Sequence, residues 1–373
     1  MTARLSLAEH DAEQIARLRL IRSENVGPRT FHQLLARFGT AEDALAALPA
    51  LARQGGRRGR IGICSAEDAE AELAAAAALD ARVLHTGQAD YPALLAALDD
   101  PPPVLHVLGG LTGFSRPTIA IVGARNASAA GIRFARRLAS ELGEAGLFVV
   151  SGLARGIDTA AHFGALANGT AAVFAGGLDS VYPPENRDLA AEIVERGGAL
   201  LSEMPPGTEP QARHFPRRNR LIAGLSLGVV VVEAALRSGS LITARLALEQ
   251  GREVLAVPGF PTDPRHGGTN RLLREGAGFV ESSHDILEAL APMLAGPPTR
   301  RQPQPFVNQD VTEVDLDHER LTVQRLLGPT PTEIDELIRQ GKLTPATVMT
   351  ILLELELAGR LDRLAGNRVA LRE

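Results

Sequence analysis

Cysteine and aromatic residues are scarce in this chain. Its 373 residues include one cysteine, no tryptophan, and 3% aromatic residues in total. A lone Cys64 excludes both a disulfide and a cluster of thiolate metal ligands within one chain, as is typical of proteins from a reducing cytoplasm. The histidines His162, His214 and His266 lie on separate segments with no close second ligand. We therefore expect a cytoplasmic protein without a metal site.

Long apolar runs are also missing. The N-terminal stretch MTARLSLAEHDAEQIARLRL mixes acidic and basic residues too early for a signal peptide. No apolar run approaches the length of a membrane-spanning helix. The sequence therefore predicts no membrane partner.

Net positive charge is absent too, since 39 basic and 44 acidic residues give a formal charge of −5. The 45% hydrophobic and 22% charged fractions are those of an ordinary globular protein. At a typical size of roughly 150 residues per domain, the length of the chain predicts two to three domains. Any binding of nucleic acid must depend on a local patch rather than on the overall charge.

Such a patch is present in RHFPRRNRLIAGLS, residues 213–226. It contains Phe215 and four arginines, Arg213, Arg217, Arg218 and Arg220. No acidic residue occurs from 210 to 232, whereas a solvated helix face, the alternative interpretation, normally carries interspersed acids. Arginines along a phosphate backbone and a ring on which a base can stack are what single-stranded nucleic acid requires.

Composition divides the chain into four segments. Residues 1–80 read as a small helical domain, in which a Val26-Gly27-Pro28 break precedes the amphipathic TFHQLLARF. The helix beginning there could offer free amides to phosphates, as in helix-hairpin-helix modules, or follow a simple turn in a helical bundle. Residues 81–295 form an α/β domain, and 296–316 are a linker rich in Pro and Gln. Residues 317–373 predict a winged helix.

Short apolar runs alternate with helical stretches in the second segment. The runs cover 118–124, 147–152, 171–177, 198–203, 227–234 and 253–259. Most are bounded by Gly or Ser and lead into a helix, which is typical of a doubly wound, mostly parallel sheet covered on both faces. We predict a Rossmann-like fold.

The last segment predicts three helices, near 319–327, 331–340 and 344–358, followed by two short strands around a Gly-Asn turn. The third helix, TPATVMTILLELELAG, holds the recognition position of a winged helix but carries two Glu and no Lys or Arg. That composition is poorly suited to reading DNA and favours a protein contact or a packing role.

Loops at the carboxyl ends of the predicted strands combine Gly, Ser or Thr with arginines, a chemistry suited to anionic oxygens. These arginines are Arg125, Arg155, Arg237 and Arg265. Neither GARNASAAG nor SGLARGID has G-x-G-x-x-G spacing, and a Walker A pattern is absent. We therefore expect no dinucleotide and no other cofactor. Asp158 and His162 share one helix face, where they could serve acid-base chemistry or anchor the start of the helix to a neighbouring loop.

Eight ordered motifs between residues 85 and 282 resemble the DNA-processing protein A family. They include IAIVGARNAS, VVSGLARGIDTAAHFGAL, YPPENRDLA, LLSEMPPG, FPRRNRLIAGLS and GGTNRLLREGA. The resemblance implies a homodimeric protein that binds and protects incoming single-stranded DNA and loads the RecA recombinase during natural transformation. It also implies a sterile-alpha-motif-like N-terminal region and, in some members, a winged helix.

Transferred to matching positions, the resemblance implies a set of strand-binding residues. The set is Arg125, Ser151, Gly152, Phe215, Arg217, Arg218, Arg220, Ser238 and Gly239. Charge alone adds Arg213.

Two other functions remain open. The family's fold is similar to that of phosphoribohydrolases with a PGGxGTxxE loop, but the comparable SGSLITARLALE lacks the Gly pair and has Leu246 where the carboxylate belongs. Without that base we expect no catalytic residue and no enzymatic activity. A duplex-reading regulator built on the hairpin and the winged helix is the other alternative, and the acidic third helix disfavours it.

Overall fold

The computed structural model describes residues 12–294, 316–364 and 366–372. Within these ranges, the residues from 72 to 294 form one compact unit, and those before 72 together with those after 315 form a second. The domain boundaries expected from composition stay predictions. The linker expected at 296–316 lies, apart from Leu316, outside the described residues.

The helices are numbered in chain order. They are α1 (Ala12–Arg22), α2 (Pro28–Phe38), α3 (Ala41–Gln54), α4 (Ala66–Ala78), α5 (Ala93–Ala96), α6 (Ala129–Glu144), α7 (Ile157–Ala165), α8 (Arg187–Glu195), α9 (His214–Gly224), α10 (Gly239–Glu249), α11 (Gly267–Arg274), α12 (Ser283–Leu294), α13 (Asp317–Leu326), α14 (Ile334–Gly341) and α15 (Pro345–Leu357).

The strands of the larger unit are β1 (Arg82–His85), β2 (Val104–Gly109), β3 (Thr118–Val122), β4 (Phe148–Ser151), β5 (Thr170–Val173), β6 (Ala199–Ser202), β7 (Gly228–Val231), β8 (Glu253–Ala256) and β9 (Gly278–Phe279). They form one sheet in the order β1-β2-β6-β5-β4-β3-β7-β8-β9. From β6 to β9 all neighbours are parallel, whereas β2 pairs antiparallel with both β6 and β1. This confirms the predicted Rossmann-like fold.

Apolar side chains cover both faces of this sheet. Side chains of α9, α10 and α11 pack into a core with one face, and those of α6, α7 and α12 pack into a core with the other. Strands buried on both faces need apolar residues at every position. The continuous runs TIAIV and GVVV in β3 and β7 meet that need.

The chain crosses the sheet once between its two halves. It runs from β3 outward through β4 and β5 to β6, and α9 then leads back to β7, on the other side of β3. Parallel strands place all their carboxyl ends at one edge. The first turn of α9, which follows the loop after β6, therefore begins at the edge where the loops after β3, β4 and β5 also lie.

The N-terminal helices α1 to α3 share a core that includes Phe31, Leu34 and Leu48. Pro28 opens α2, where its missing amide leaves no lost hydrogen bond, and Gly39 ends the helix with a φ of 82°. The predicted helical domain is thus confirmed.

The C-terminal segment has the predicted winged-helix architecture. Helices α13, α14 and α15 pack on a small sheet of β10 (Thr332–Glu333), β11 (Leu361–Leu364) and β12 (Arg368–Leu371), in the order β10-β12-β11. Thr344 caps α15 by accepting a hydrogen bond from the Thr347 amide. The two-residue strand β10 was not predicted.

Candidate nucleic-acid interface

A pocket of about 330 Å³ opens at the carboxyl edge of the central sheet. The loops after β3, β4 and β5 and the first turns of α9 form it. Its lining residues are Arg125, Asn126, Gly152, Ala154, Arg155, Tyr182, Pro183, Phe215 and Arg218. Aromatic and guanidinium groups therefore dominate its surface.

Phe215 lies in the middle of these groups. The guanidinium carbons of Arg125 and Arg218 are 4.9 and 5.8 Å from its ring centroid, within the range of cation-π attraction. The Tyr182 ring, itself 50% exposed, meets Phe215 edge-on with the centroids 5.9 Å apart. Phe215 is only partly buried, so part of its surface is open to solvent.

Arg218 supplies a positive charge from inside the protein. It is only 6% exposed, and its Nη1 donates hydrogen bonds to the carbonyl oxygens of Gly152 and Val173. Burial lowers the pKa of Arg218 to about 10, while the nearby Asp158 carboxylate raises it. The guanidinium therefore stays protonated at neutral pH and ties α9 to the loops after β4 and β5.

Asp158 and His162 are buried in structural contacts. The Asp158 carboxylate accepts hydrogen bonds from the Gly152 and Ala154 amides at 3.1 and 3.4 Å. His162 Nδ1 lies 2.8 Å from Thr170 Oγ1, and burial lowers the pKa of His162 to about 3. Burial also raises the pKa of Asp158, against the effect of Arg218. Of the two roles considered, the geometry favours anchoring the start of α7 over acid-base chemistry.

Four of the predicted strand-binding residues meet in the pocket: Arg125, Gly152, Phe215 and Arg218. Arg213 and Arg217 do not line it, but both are exposed beside Phe215, at the N-cap and in the first turn of α9. They extend the positive surface outside the pocket.

Four other predicted residues point elsewhere. Ser151 is fully buried, and its hydroxyl donates to the Ile121 carbonyl at 2.6 Å. Arg220 forms an ion pair with Glu203 and donates to the Asp100 carbonyl at 3.0 Å. Ser238 and Gly239 lie at the start of α10, after β7, and are not among the residues that line this pocket; β3 lies between β7 and β4 in the sheet.

The order in which successive strands are added to the sheet reverses between β3 and β7, and open α/β folds often bind nucleotides at such a point. Here the carboxylate of Glu233, 1% exposed, occupies that position. It accepts hydrogen bonds from the Ser128 amide at 2.9 Å and hydroxyl at 2.5 Å, at the N-terminus of α6. The Glu233 side chain therefore takes the position at the start of α6 where such folds often bind a phosphate.

Sequence reasoning missed Asn126, Ala154, Tyr182 and Pro183 as pocket residues, and named Arg155 only as a loop arginine. The sequence did contain a clue to Tyr182 and Pro183, because both residues begin the motif YPPENRDLA, which follows β5. Arg155 forms an exposed ion pair with Glu185 of the same motif.

No helix in the described part of the chain is long and apolar enough to span a membrane. Likewise, no three His, Cys, Asp or Glu residues within the described ranges are arranged to hold a metal ion.

Comparison with family profiles gives matches to all three parts of the chain. Residues 82–291 match DNA recombination-mediator protein A, residues 11–75 match the DprA-like N-terminal HHH domain, and residues 308–367 match the DprA winged helix domain.

Individual relatives agree with these profiles. Protein Smf of Escherichia coli is 43% identical over 284 residues, which are 76% of this chain and 75% of that protein. DNA processing protein A of Streptococcus pneumoniae has a similar structure, with a TM-score of 0.62 and 35% identity over 75% of this chain and 98% of that one. DNA processing protein A of Helicobacter pylori, described for its single-stranded DNA binding mode, has a TM-score of 0.52 and 31% identity over 57% of this chain and 96% of that one.

Proposed function

Because the chain belongs to the DNA recombination-mediator protein A family, we propose that it binds single-stranded DNA in the pocket around Phe215. The ring of Phe215, partly open to solvent and within cation-π distance of the guanidinium groups of Arg125 and Arg218, is the observation that carries this proposal. A base stacks on such a ring while arginines attract the neighbouring phosphates.

The pocket favours a single strand over a duplex. Only an unpaired base presents its face to a ring inside a pocket, because the bases of a duplex are stacked on one another. Arg213 and Arg217, exposed beside the pocket, are placed to contact phosphates of nucleotides that continue past the bound base. We assign Arg220 and Ser151 to structural roles, because their polar groups are engaged inside the protein.

Family membership also supports a more specific role for the bound strand. We propose that the protein acts in the cytoplasm as a recombination mediator that protects incoming strands and loads RecA during natural transformation. A homodimer would offer two such pockets to one strand. The H. pylori relative's reported binding of single-stranded DNA supports the first part of this role.

We also propose that the protein is not an enzyme. The two residues best placed for acid-base chemistry, Asp158 and His162, are both buried and hydrogen-bonded within the fold. Incubation with nucleoside monophosphates, with detection of free base, tests the phosphoribohydrolase alternative. Turnover that depends on the Phe215 pocket would overturn this part of the proposal.

Arg217→Glu tests the proposed interface with little risk to the fold, because Arg217 is exposed. Affinity for oligo-dT should fall, and the slope of log K against log salt should become shallower by about 0.7 for each lost phosphate contact. Arg196→Glu is the matched control, since that side chain is 51% exposed and lies at the opposite edge of the sheet. Equal affinities of the two variants would contradict the proposed site.

A further inference from the structure

The N-terminal and C-terminal domains each contain an element that binds DNA in other proteins of the same fold. In the first it is the hairpin between α1 and α2, and in the second it is α15, the recognition helix of the winged helix. Here these two elements contact each other. The side-chain amide of Asn25, in the hairpin, donates to the carbonyl of Leu357 at the end of α15, at 3.1 Å.

Helix α15 is buried on two sides. Ile351, Leu352 and Leu355 pack in the core of the winged helix. Leu353 and Leu357, at most 3% exposed, belong instead to the core of α1 to α3. Recognition helices that enter the major groove leave one face free for base edges. On α15 the N-terminal domain covers the C-terminal half of the helix, at Leu353 and Leu357.

The backbones of the two domains also approach closely at Gly55, just after α3. A Cβ atom placed on Gly55 would lie 1.9 Å from the carbonyl oxygen of Glu354 and 2.9 Å from the Cβ of Ala358. The φ of Gly55 is −70°, which any residue can adopt. Proximity to α15, rather than backbone conformation, is therefore what requires glycine here.

Each domain satisfies backbone carbonyls at the end of a helix in the other. Leu357 is the last residue of α15, whose final carbonyls have no partner within the helix, and Asn25 donates to one of them. In return, Arg360 Nη1 donates to the carbonyl of Gly55, the C-cap of α3, at 3.2 Å.

The charges on α15 do not favour DNA either. Glu354 is 1% exposed and forms a paired hydrogen bond with Arg320, at 2.7 and 3.0 Å. Glu356 pairs with Arg363 at 2.8 Å. The helix contains no Lys or Arg that could contact a phosphate or a base.

From these contacts we infer that α15 is a docking helix for the N-terminal helical domain and not a reader of duplex DNA. The partner of the winged helix is then the helical domain at the other end of the same chain. This inference is independent of the pocket around Phe215.

Gly55→Leu tests it, because the new side chain can be accommodated only if α15 moves away. Gly59→Leu is the matched control in the following loop, where a Cβ has no neighbour within 4 Å. We expect hydrogen exchange to rise in α15 and at the end of α3 in Gly55→Leu alone, while β11 and β12 stay protected. Affinity for duplex DNA should stay within twofold of the wild type.

A second variant removes the contacts without adding bulk. In Asn25→Ala/Arg360→Ala the same regions should exchange faster, by a smaller factor. Identical exchange in Gly55→Leu, the double variant and Gly59→Leu would show that the domains are not docked in solution. A tenfold or larger gain in duplex affinity in either undocked variant would show instead that docking hides a functional DNA reader, and would overturn the inference.

Discussion

Replacing Phe215 with alanine isolates the stacking contribution to binding. The ring lines the pocket close to the guanidinium groups of Arg125 and Arg218, so its loss removes the proposed surface for a base. Stacking on an aromatic side chain contributes about 1–3 kcal/mol per base. The dissociation constant for oligo-dT should therefore rise by about 5-fold to 150-fold.

Two further quantities distinguish stacking from other causes. The phosphate-binding arginines remain, so the salt dependence of Kd should keep the slope of the wild type. Loss of two cation-π contacts, each about 0.5–1 kcal/mol, should lower the thermal midpoint slightly while leaving the protein folded. Phe215→Leu keeps an apolar side chain but no π face, so its affinity should fall nearly as far as that of the alanine variant.

Fluorescence anisotropy with labelled oligo-dT, titrated at several salt concentrations, measures both affinity and slope. A folded Phe215→Ala protein that binds oligo-dT within twofold of the wild type would refute the stacking role. A loss of affinity accompanied by a shallower salt slope would show that Phe215 acts by holding the arginines and not by stacking.

Three further predictions concern the groups around the pocket. Gly152→Ala places a Cβ 2.0 Å from Arg218 Nη1, so it should lower the stability by about 1–3 kcal/mol in urea titrations and should also weaken oligo-dT binding. Gly239→Ala, where a Cβ has no neighbour within 4 Å, should change neither the stability nor the affinity. Because burial lowers the pKa of His162 from 6.5 to about 3, the unfolded chain takes up a proton first as the pH falls. Stability relative to His162→Gln should then drop by about 1.4 kcal/mol per pH unit below 6.5, and parallel pH profiles would contradict this. Glu233→Ala leaves the Ser128 amide without its acceptor and should cost about 1–3 kcal/mol in urea denaturation, with oligo-dT affinity unchanged.

The central fold could be predicted because its signals are local. The six apolar runs became β3 to β8, and their burial on both faces explains why nearly every position is apolar. Strands β1, β2 and β9 were missed. β9 has only two residues, and the first two residues of β1 are at least partly exposed, so neither strand shows a recognisable pattern of apolar residues. The antiparallel pairing of β2 with β6 depends on tertiary contacts that no local pattern contains.

The site was only partly predictable, because one helix directs its arginines to different places. Helix α9 begins at His214, so both Phe215 and Arg218 belong to it. These two residues are three apart and share one face of the helix. Arg217 and Arg220 are likewise three apart and lie on another. Helical periodicity could thus have separated Arg218 from Arg220, but the partners Glu203 and Asp100 could be found only in the fold.

The contact between Gly55 and Arg360 joins residues that are 305 positions apart. During synthesis the N-terminal helices leave the ribosome first, but α15, which covers part of their core, emerges only after the whole central domain. The N-terminal core can therefore be completed only after α15 has been synthesised, and a product truncated before α15 would leave Leu353 and Leu357 missing from that core.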